Sequence, residues 1–564
     1  MGATSDDVSS LIQSKAELFG DKVALVLHGS SSAESYTFGE LAERAARLSS
    51  GLIDMGLGPG DRVALLSESR PRWAIVFFAV VRAGAIVVPL DVRLGYEELE
   101  PIVTDASPRF LIVSEQFLGL GRQLKRGAGF LEHCLLIDEV SSDPQVPSMD
   151  ALAGAEERPR VPRDFDDTAI ITYTSGTMGQ PKGVMTSFAN VLFQIQDFRT
   201  VMGNDEHEVC VSILPLNHLF ELVVGLLGVL YGGGRVCYCS SLFPQDITAA
   251  MRDQSVTCMI TVPLFLKLLR NGIQRELRRS SRMSQRLFAA CYAMAPLLPI
   301  GLRRRLFARV HTSFGGRLRY FVCGGAPLES DIGDFFARLG VPVYQGYGMA
   351  EASPVISTNR AGANRPGSVG RPMPGVEVSI QEDGEGAGRG EILTRGPHIM
   401  KGYYNRDDLT QQVVDDDGWL HTGDIGYLDA DGYLYVSGRA KNLIVLGSGK
   451  KVQPEELEEK LFDSPLIKEG SVLGRVASGS GLLAGTEEVW AVVVPSDEAK
   501  LAYANRTATL REVVTKEVQQ TAQHFADYKR PRRIIVRMDE LPKTSTRKVR
   551  RVELHQWLDR EEAP

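Results

Sequence analysis

Strand-length apolar runs alternate with helical patterns through the first three-quarters of this chain, and no other feature restricts its fold as much. Arg62–Leu66 reads as a strand, Arg72–Arg82 as a helix and Ala85–Leu90 as a strand again; Phe110–Val113 and Cys134–Ile137 continue the series. Strands separated by helices with short Gly/Pro punctuation join in parallel, and helices then cover the sheet on both faces. From about 367 the pattern changes to short strands with turns: Val376–Ile380, a loop at Glu382–Gly390, Glu391–Thr394, and Asp429–Gly432 as a turn between two more. A last segment from about 441 carries a helix at Pro454–Phe462, a strand at Val489–Val494, a helix near Leu510–Ala526 and a basic tail. The expected fold class is α/β. A large N-terminal domain, 1–440, holds parallel and mixed sheets flanked by helices plus a small β-layer, and 441–564 form a small α+β domain.

The chain of 564 residues is 43% hydrophobic, enough for large cores, and its net charge of −7 argues against a general nucleic-acid binder. Seven cysteines are scattered through apolar stretches. Cys237 and Cys239 have no second pair or His cluster at zinc spacing, so buried free thiols and a reducing, cytoplasmic compartment are expected. The polar, acidic first ten residues do not read as a signal peptide. The longest apolar stretches, Ala74–Leu90 and Leu219–Tyr231, are interrupted by Arg82 and Glu221, so neither reads as a membrane span.

Five clusters carry chemistry. The strand-like run Thr168–Tyr173 leads into Thr174, Ser175, Gly176, Thr177, Met178, Gly179, Gln180, Pro181, Lys182 and Gly183. Glycines let successive backbone N–H groups turn toward one point, and the lysine adds a charge for a phosphate. The string is not the G-x-x-x-x-G-K-[ST] loop, because Gly183 follows the lysine. Cys323–Leu328, after the strand-like Leu318–Val322, has residues small enough for a flat ring to approach the backbone, or is an ordinary strand-to-helix turn. Tyr344–Glu351 sets Tyr347 to stack on a base and Glu351 to hold magnesium, or buries a tyrosine and exposes a glutamate. Asp424 and Arg439 lie on either side of a strand–turn–strand and can converge on the hydroxyls of a ribose, or form a plain salt bridge. Between Tyr528 and Arg551 there are ten Lys/Arg and two acidic residues, which alone read as a solvated basic tail.

In this order the clusters resemble the acyl-adenylate-forming superfamily, closest to bacterial long-chain fatty acid–CoA ligases, over nearly the whole chain. The resemblance implies ATP-dependent activation of a fatty acid to acyl-AMP with release of pyrophosphate, then transfer to coenzyme A. It makes 174–183 the phosphate loop, with Thr177 and Glu351 at the Mg²⁺ ion. Gly324, Gly325, Ala326, Pro327, Tyr347 and Gly348 line the nucleotide, and Asp424 and Arg439 the ribose. Lys441 matches the hinge of a mobile C-terminal lid, Lys548 the lysine bridging carboxylate and α-phosphate, and Gly447–Lys451, with Gly449, the hairpin lining the thiol tunnel. Leu214–Glu221 resembles the segment that sets a histidine, here His218, at the acyl pocket, although His218 by itself reads equally as a satisfied core histidine; the segment offers no aspartate for a substrate ammonium.

Two positions depart from the family pattern: Ala350 replaces a threonine and Arg547 a glycine. They keep open an impaired, nucleotide-binding regulator, beside an acyl-AMP ligase that loads the phosphopantetheine of an acyl carrier protein. Lys267–Arg309 holds eleven Lys/Arg against Glu276 alone, which reads as a peripheral contact with the inner face of an anionic membrane or as a solvated basic surface.

Overall fold

The structure, a computed structural model, describes residues 8–29, 34–152, 156–175, 181–382, 388–446, 450–476, 487–504, 506–543 and 548–561. The chain falls into two compact units: Met1–Glu377 with Thr394–Leu420, and Val378–Leu393 with His421–Pro564.

The first unit is built on two sheets. One has seven strands in the order Gly402–Tyr403, Pro181–Ser187, Thr168–Ser175, Ile86–Pro89, Arg62–Leu66, Phe110–Val113 and His133–Leu136. The last five run parallel; Pro181–Ser187 returns antiparallel against Thr168–Ser175, and Gly402–Tyr403 adds antiparallel to its outer edge. Ile86–Pro89 and Phe110–Val113 are buried at every position, as strands covered on both faces must be. The helix Pro71–Arg82 is almost wholly buried, and its Arg72 is paired with Glu139 and Asp150.

The other sheet has nine strands in the order Arg371–Pro372, Ser357–Thr358, Val343–Tyr347, Tyr320–Cys323, Cys258–Thr261, Val209–Ser212, Arg235–Cys239, Val23–His28 and Ser35–Thr37. The six central strands are parallel and the edges antiparallel. The apolar stretch Leu219–Tyr231 forms a buried helix, Phe220–Gly228, of the wide π type, continued by Val229–Tyr231. Among the described residues no helix is long and apolar enough to cross a membrane. All seven cysteines are unpaired and all but Cys239 are buried, as expected of free thiols.

The second unit contains a four-stranded sheet ordered Glu377–Glu382, Gly390–Arg395, Leu420–Leu428, Leu434–Arg439, whose first and third strands begin, and second ends, in the first unit. Asp429 Oδ1 accepts the Asp431 and Tyr433 amides and so builds the expected turn. A short hairpin, Ile444–Val445 with Lys451–Val452, precedes a three-stranded sheet of Ile467–Val476, Glu487–Pro495 and Arg533–Val536. Helices Pro454–Leu461 and Thr507–Ala522 bury Leu457, Leu461, Val514 and Val518 in one core of this unit. Leu554 and Leu558 of helix Arg551–Glu561 join a smaller core with Leu473, Val492 and Val494. The basic tail is therefore a folded strand and helix rather than a solvated extension. Its apolar residues, spaced among the cations, supply the missing layer.

Candidate active site

In the first unit, the nominated segments leave the carboxyl ends of neighbouring parallel strands, where open α/β sheets bind ligands. Val209–Ser212 leads to His218, Tyr320–Cys323 to Gly324, and Val343–Tyr347 to Glu351. Gly324 donates its amide to the Thr261 carbonyl at 3.2 Å on the strand between. The Phe220 ring lies over it, so a Cβ there would sit 3.2 Å from the ring. Gly325 takes a left-handed backbone at φ +82°, a turn that suits glycine and leaves Gly325, Ala326 and Pro327 exposed. Gly348 has the Pro354 carbonyl pressed against it, leaving no room for a side chain. Tyr347 is half-buried, its carbonyl accepting the Ile356 amide at 2.9 Å. His218 is half-buried at the entry to the helix, where its carbonyl accepts the Leu222 amide at 3.0 Å.

The strands on either side of the glycine-rich loop, Thr168–Ser175 and Pro181–Ser187, pair antiparallel. Thr174 pairs with Lys182 and Ser175 with Pro181, while Gly176, Thr177 and Gly179 lie outside the described residues. Lys182 Nζ stands 4.9 Å from the centre of the Tyr403 ring. The Tyr403 hydroxyl donates to Glu351 Oε1 at 2.8 Å. A cation from the seven-stranded sheet and a carboxylate from the nine-stranded sheet thus meet through one tyrosine. Burial, and then the Glu351 charge, push the Tyr403 phenol well above its usual range, so it stays protonated and donating. Ala350, next to Glu351, packs against the apolar cluster of Val184, Met400 and Tyr403. Tyr403 was not singled out from sequence, because it joins this sheet from a two-residue strand far downstream of the loop.

Glu221 was legible only as a charge interrupting an apolar run. Its side chain is fully buried, and neither oxygen has a hydrogen-bond partner among the described residues. Gly225 leaves room for the carboxyl, since a Cβ there would lie 2.7 Å from Oε1. Burial raises its pKa to about 8, and Ser212 lies near enough to oppose this without closing a hydrogen bond. At neutral pH the group is therefore largely uncharged.

In the second unit, Asp424 and Arg439 are direct partners across the antiparallel ladder, and Arg439 Nε donates to Asp424 Oδ1 at 2.9 Å. The carboxylate is buried and the guanidinium exposed. Thr422 Oγ1 accepts the Asp424 amide at 3.1 Å, and Glu391 Oε1 accepts the Gly423 amide at 2.8 Å, fixing the turn that aims the carboxylate. Lys548 reaches the electrostatic range of both members of the pair. Surrounding protein and then the Arg439 charge lower its pKa, and Asp424 partly opposes them; solvent at the exposed side chain screens all three. The Lys543–Val549 bridge and an Arg550 amide bond to the Pro542 carbonyl, 2.8 Å, hold the chain on either side of 544–547. Lys441 is exposed on the turn Ala440–Asn442, which Asn442 ties to Glu455 at 2.7 Å. Gly449 and Arg547 lie outside the described residues.

A single carboxylate suits a magnesium ion whose other ligands are phosphate oxygens and water. Glu351 fits that role. No group of three or more His, Cys, Asp or Glu among the described residues forms a metal cage of its own.

The model of the AMP-binding enzyme family matches residues 12–404, and that of the AMP-binding enzyme C-terminal domain matches 441–561. The chain belongs to the AMP-binding enzyme family. It is 30% identical to a feruloyl-CoA synthase of an Amycolatopsis species over 93% of this chain and 94% of that one. It is 32% identical to the peroxisomal long chain acyl-CoA synthetase 7 of Arabidopsis thaliana over 75% of this chain and 64% of the relative. The crystal structure of ATP-bound MatB from Rhodopseudomonas palustris superposes with a TM-score of 0.78 at 26% identity, covering 98% of this chain and all of that one. The acyl groups named for the two sequence relatives differ, feruloyl in one and long chain in the other.

Proposed function

We propose that the chain is an acid–CoA ligase whose acid is a fatty acid: it forms acyl-AMP from ATP with loss of pyrophosphate, then acyl-CoA with loss of AMP. The observation that carries the choice of acid is the helix Phe220–Gly228. From Glu221 to Gly228 every residue is buried, and the one ionisable side chain is held uncharged by that burial. The helix offers no fixed charge to a substrate ammonium or a second carboxylate, and it suits an apolar chain.

A carboxylate cannot expel oxide at neutral pH, so its oxygen attacks the α-phosphorus and pyrophosphate leaves. Both reactants are anionic, and preorganised positive charge supplies the stabilisation. In this reading Lys182 and the loop amides hold the phosphates, and Lys548 bridges the carboxylate and the α-phosphate. Asp424 and Arg439 hold the ribose, and Gly324–Pro327 and Tyr347 bracket the base. Glu351 and Thr177 would hold magnesium, which when bound neutralises phosphate charge. Lys441 serves as the hinge between 1–440 and 441–564, so that the hairpin containing Gly449 replaces Lys548 when the thiol attacks the acyl carbonyl.

The test is ATP–pyrophosphate exchange with saturated acids from C6 to C18, ferulate and oxalate, followed by addition of coenzyme A and detection of the thioester by mass. Exchange and thioester with a C12–C18 optimum are expected. Exchange without thioester would transfer the acceptor role to a carrier protein. A preference for ferulate or oxalate would overturn the fatty acid, and no exchange despite ATP binding would leave a regulator.

A further inference from the structure

Nine of the eighteen large apolar side chains exposed among the described residues lie between Leu264 and Leu306. They are ordered. On helix Arg282–Met294, Met283, Leu287, Ala290 and Met294 recur at i, i+4, i+7 and i+11, which places them on one helical face, and Leu297 follows the helix. Met283, Leu287, Met294 and Leu297 are 80%, 65%, 51% and 86% exposed. The opposite face is anchored: Phe288 meets the Phe307 ring edge-on at 5.2 Å and Tyr292 lies 5.9 Å from Phe335. The outward stripe is therefore not a consequence of poor packing. Neighbouring helices repeat the pattern, with Leu264 and Leu268 beside Arg275 and Arg279 on Pro263–Arg279, and Leu302 and Leu306 beside Arg305 and Arg309.

Arg279 pairs with Glu276 on its own helix, and the other ten cations of this region divide into two sets. Lys267 and Arg270 pair with Glu329 and Asp331, and Arg303 and Arg304 bond backbone carbonyls, so these four serve the fold. Arg275, Arg278, Arg282, Arg286, Arg305 and Arg309 are exposed, and no carboxylate among the described residues pairs with them. In a chain of net charge −7, this is an uncompensated positive field around an aliphatic stripe. Short helices with that arrangement lie in the plane of a bilayer interface: the aliphatic groups enter the acyl boundary and the cations meet anionic headgroups.

We propose that the outer face of residues 263–309 is a docking surface for an anionic lipid bilayer, with Met283, Leu287, Met294 and Leu297 entering the interface. This attachment does not depend on which acid the enzyme activates. The test is co-sedimentation of the full chain with phosphatidylcholine vesicles, with and without phosphatidylglycerol, at low and high salt. Binding is expected to the anionic vesicles only, and to weaken as salt rises. Replacing Arg282→Gln with Arg286→Gln should weaken it about 25-fold, from roughly fivefold per cation. Leu287→Asp with Met294→Asp should abolish it while circular dichroism and the melting curve stay as in the parent, because both side chains are exposed. No preference for anionic vesicles at low salt would overturn the proposal. So would light scattering showing a dimer that the Leu287→Asp/Met294→Asp pair converts to monomer, with no vesicle binding by the parent; the face would then belong to a second copy.

Discussion

Two charged constellations, one in each unit, are held in opposite ways. Lys182, Tyr403 and Glu351 come from three chain segments, and sheet register fixes them: Tyr403 pairs with Val184, two residues from Lys182, and its hydroxyl closes on Glu351. Asp424, Arg439 and Lys548 meet at an exposed edge where only the carboxylate is buried. The first set is specified by geometry and the second by charge. A substitution in the first should act through position, and one in the second through electrostatics that salt and pH can reach.

The largest effect tests the second set. Lys548→Ala is expected to lower the adenylation rate by roughly 10²–10³, about 3–4 kcal/mol of transition-state stabilisation. Thioester formation from supplied acyl-AMP should change little, and stopped-assay kinetics of the two half-reactions would show it. Equal losses in both would remove the distinction drawn for this lysine.

Next is an effect confined to the first unit. Folding raises the Glu221 pKa from 4.5 to about 8, so the folded state binds the proton more tightly than the unfolded one. Stability is then fullest below about 4.5 and declines as pH rises toward about 8. Glu221→Gln should remove this slope, gaining on the order of a few kcal/mol over the parent at alkaline pH and little in mild acid. Calorimetry across pH would assign the change to one transition; a slope unaltered in the variant would contradict it.

Tyr403→Phe comes third. It removes one bond to the Glu351 carboxylate, worth about 1.5–3 kcal/mol of stability, so the melting temperature should fall, and kcat/KM for ATP should fall too because Glu351 loses the bond that positions it. Unchanged kinetics would mean that register alone positions Glu351. The smallest effect is a shift in a pH profile. Because Lys548 has a lowered pKa, its charged form is lost at lower pH than for an ordinary lysine, and adenylation should fail early on the alkaline side. Arg439→Gln removes a repelling charge and should move that limb upward, whereas Asp424→Asn should move it downward. An alkaline limb that stays in place in both variants would mean that desolvation alone sets the pKa.

The parallel core was legible because strands buried on both faces are written as continuous apolar runs. Arg62–Leu66 and Phe110–Val113 have the read boundaries and the other strands that were read differ by one or two residues at an end, whereas Val23–His28, Val209–Ser212, Arg235–Cys239 and Cys258–Thr261 were not read. The Asp424–Arg439 pair was legible because residues on two strands joined by a tight turn pair by simple counting. Tyr403 was not, since pairing between distant segments leaves no periodic trace, and its two-residue strand is too short to read. Glu221 could not be read as uncharged, because its state depends on burial that only the folded sheet supplies. Lys548 was found through its resemblance to a family motif. Its charge and its neighbours alone read as a tail, until the strand Arg533–Val536 and helix Arg551–Glu561 were seen to fold it in.

The hairpin bearing Lys182 also determines which changes of chain length the site can absorb. Thr174 faces Lys182 in an antiparallel ladder, and side chains alternate from one side of a strand to the other. Adding or removing residues between Ser175 and Pro181 leaves that odd–even order intact. Deleting one residue inside Pro181–Ser187 reverses it, turning Lys182 away from Tyr403 and moving Val184 out of the core. Among descendants of this chain, the loop can therefore vary in length while the strand beside it can change only by pairs.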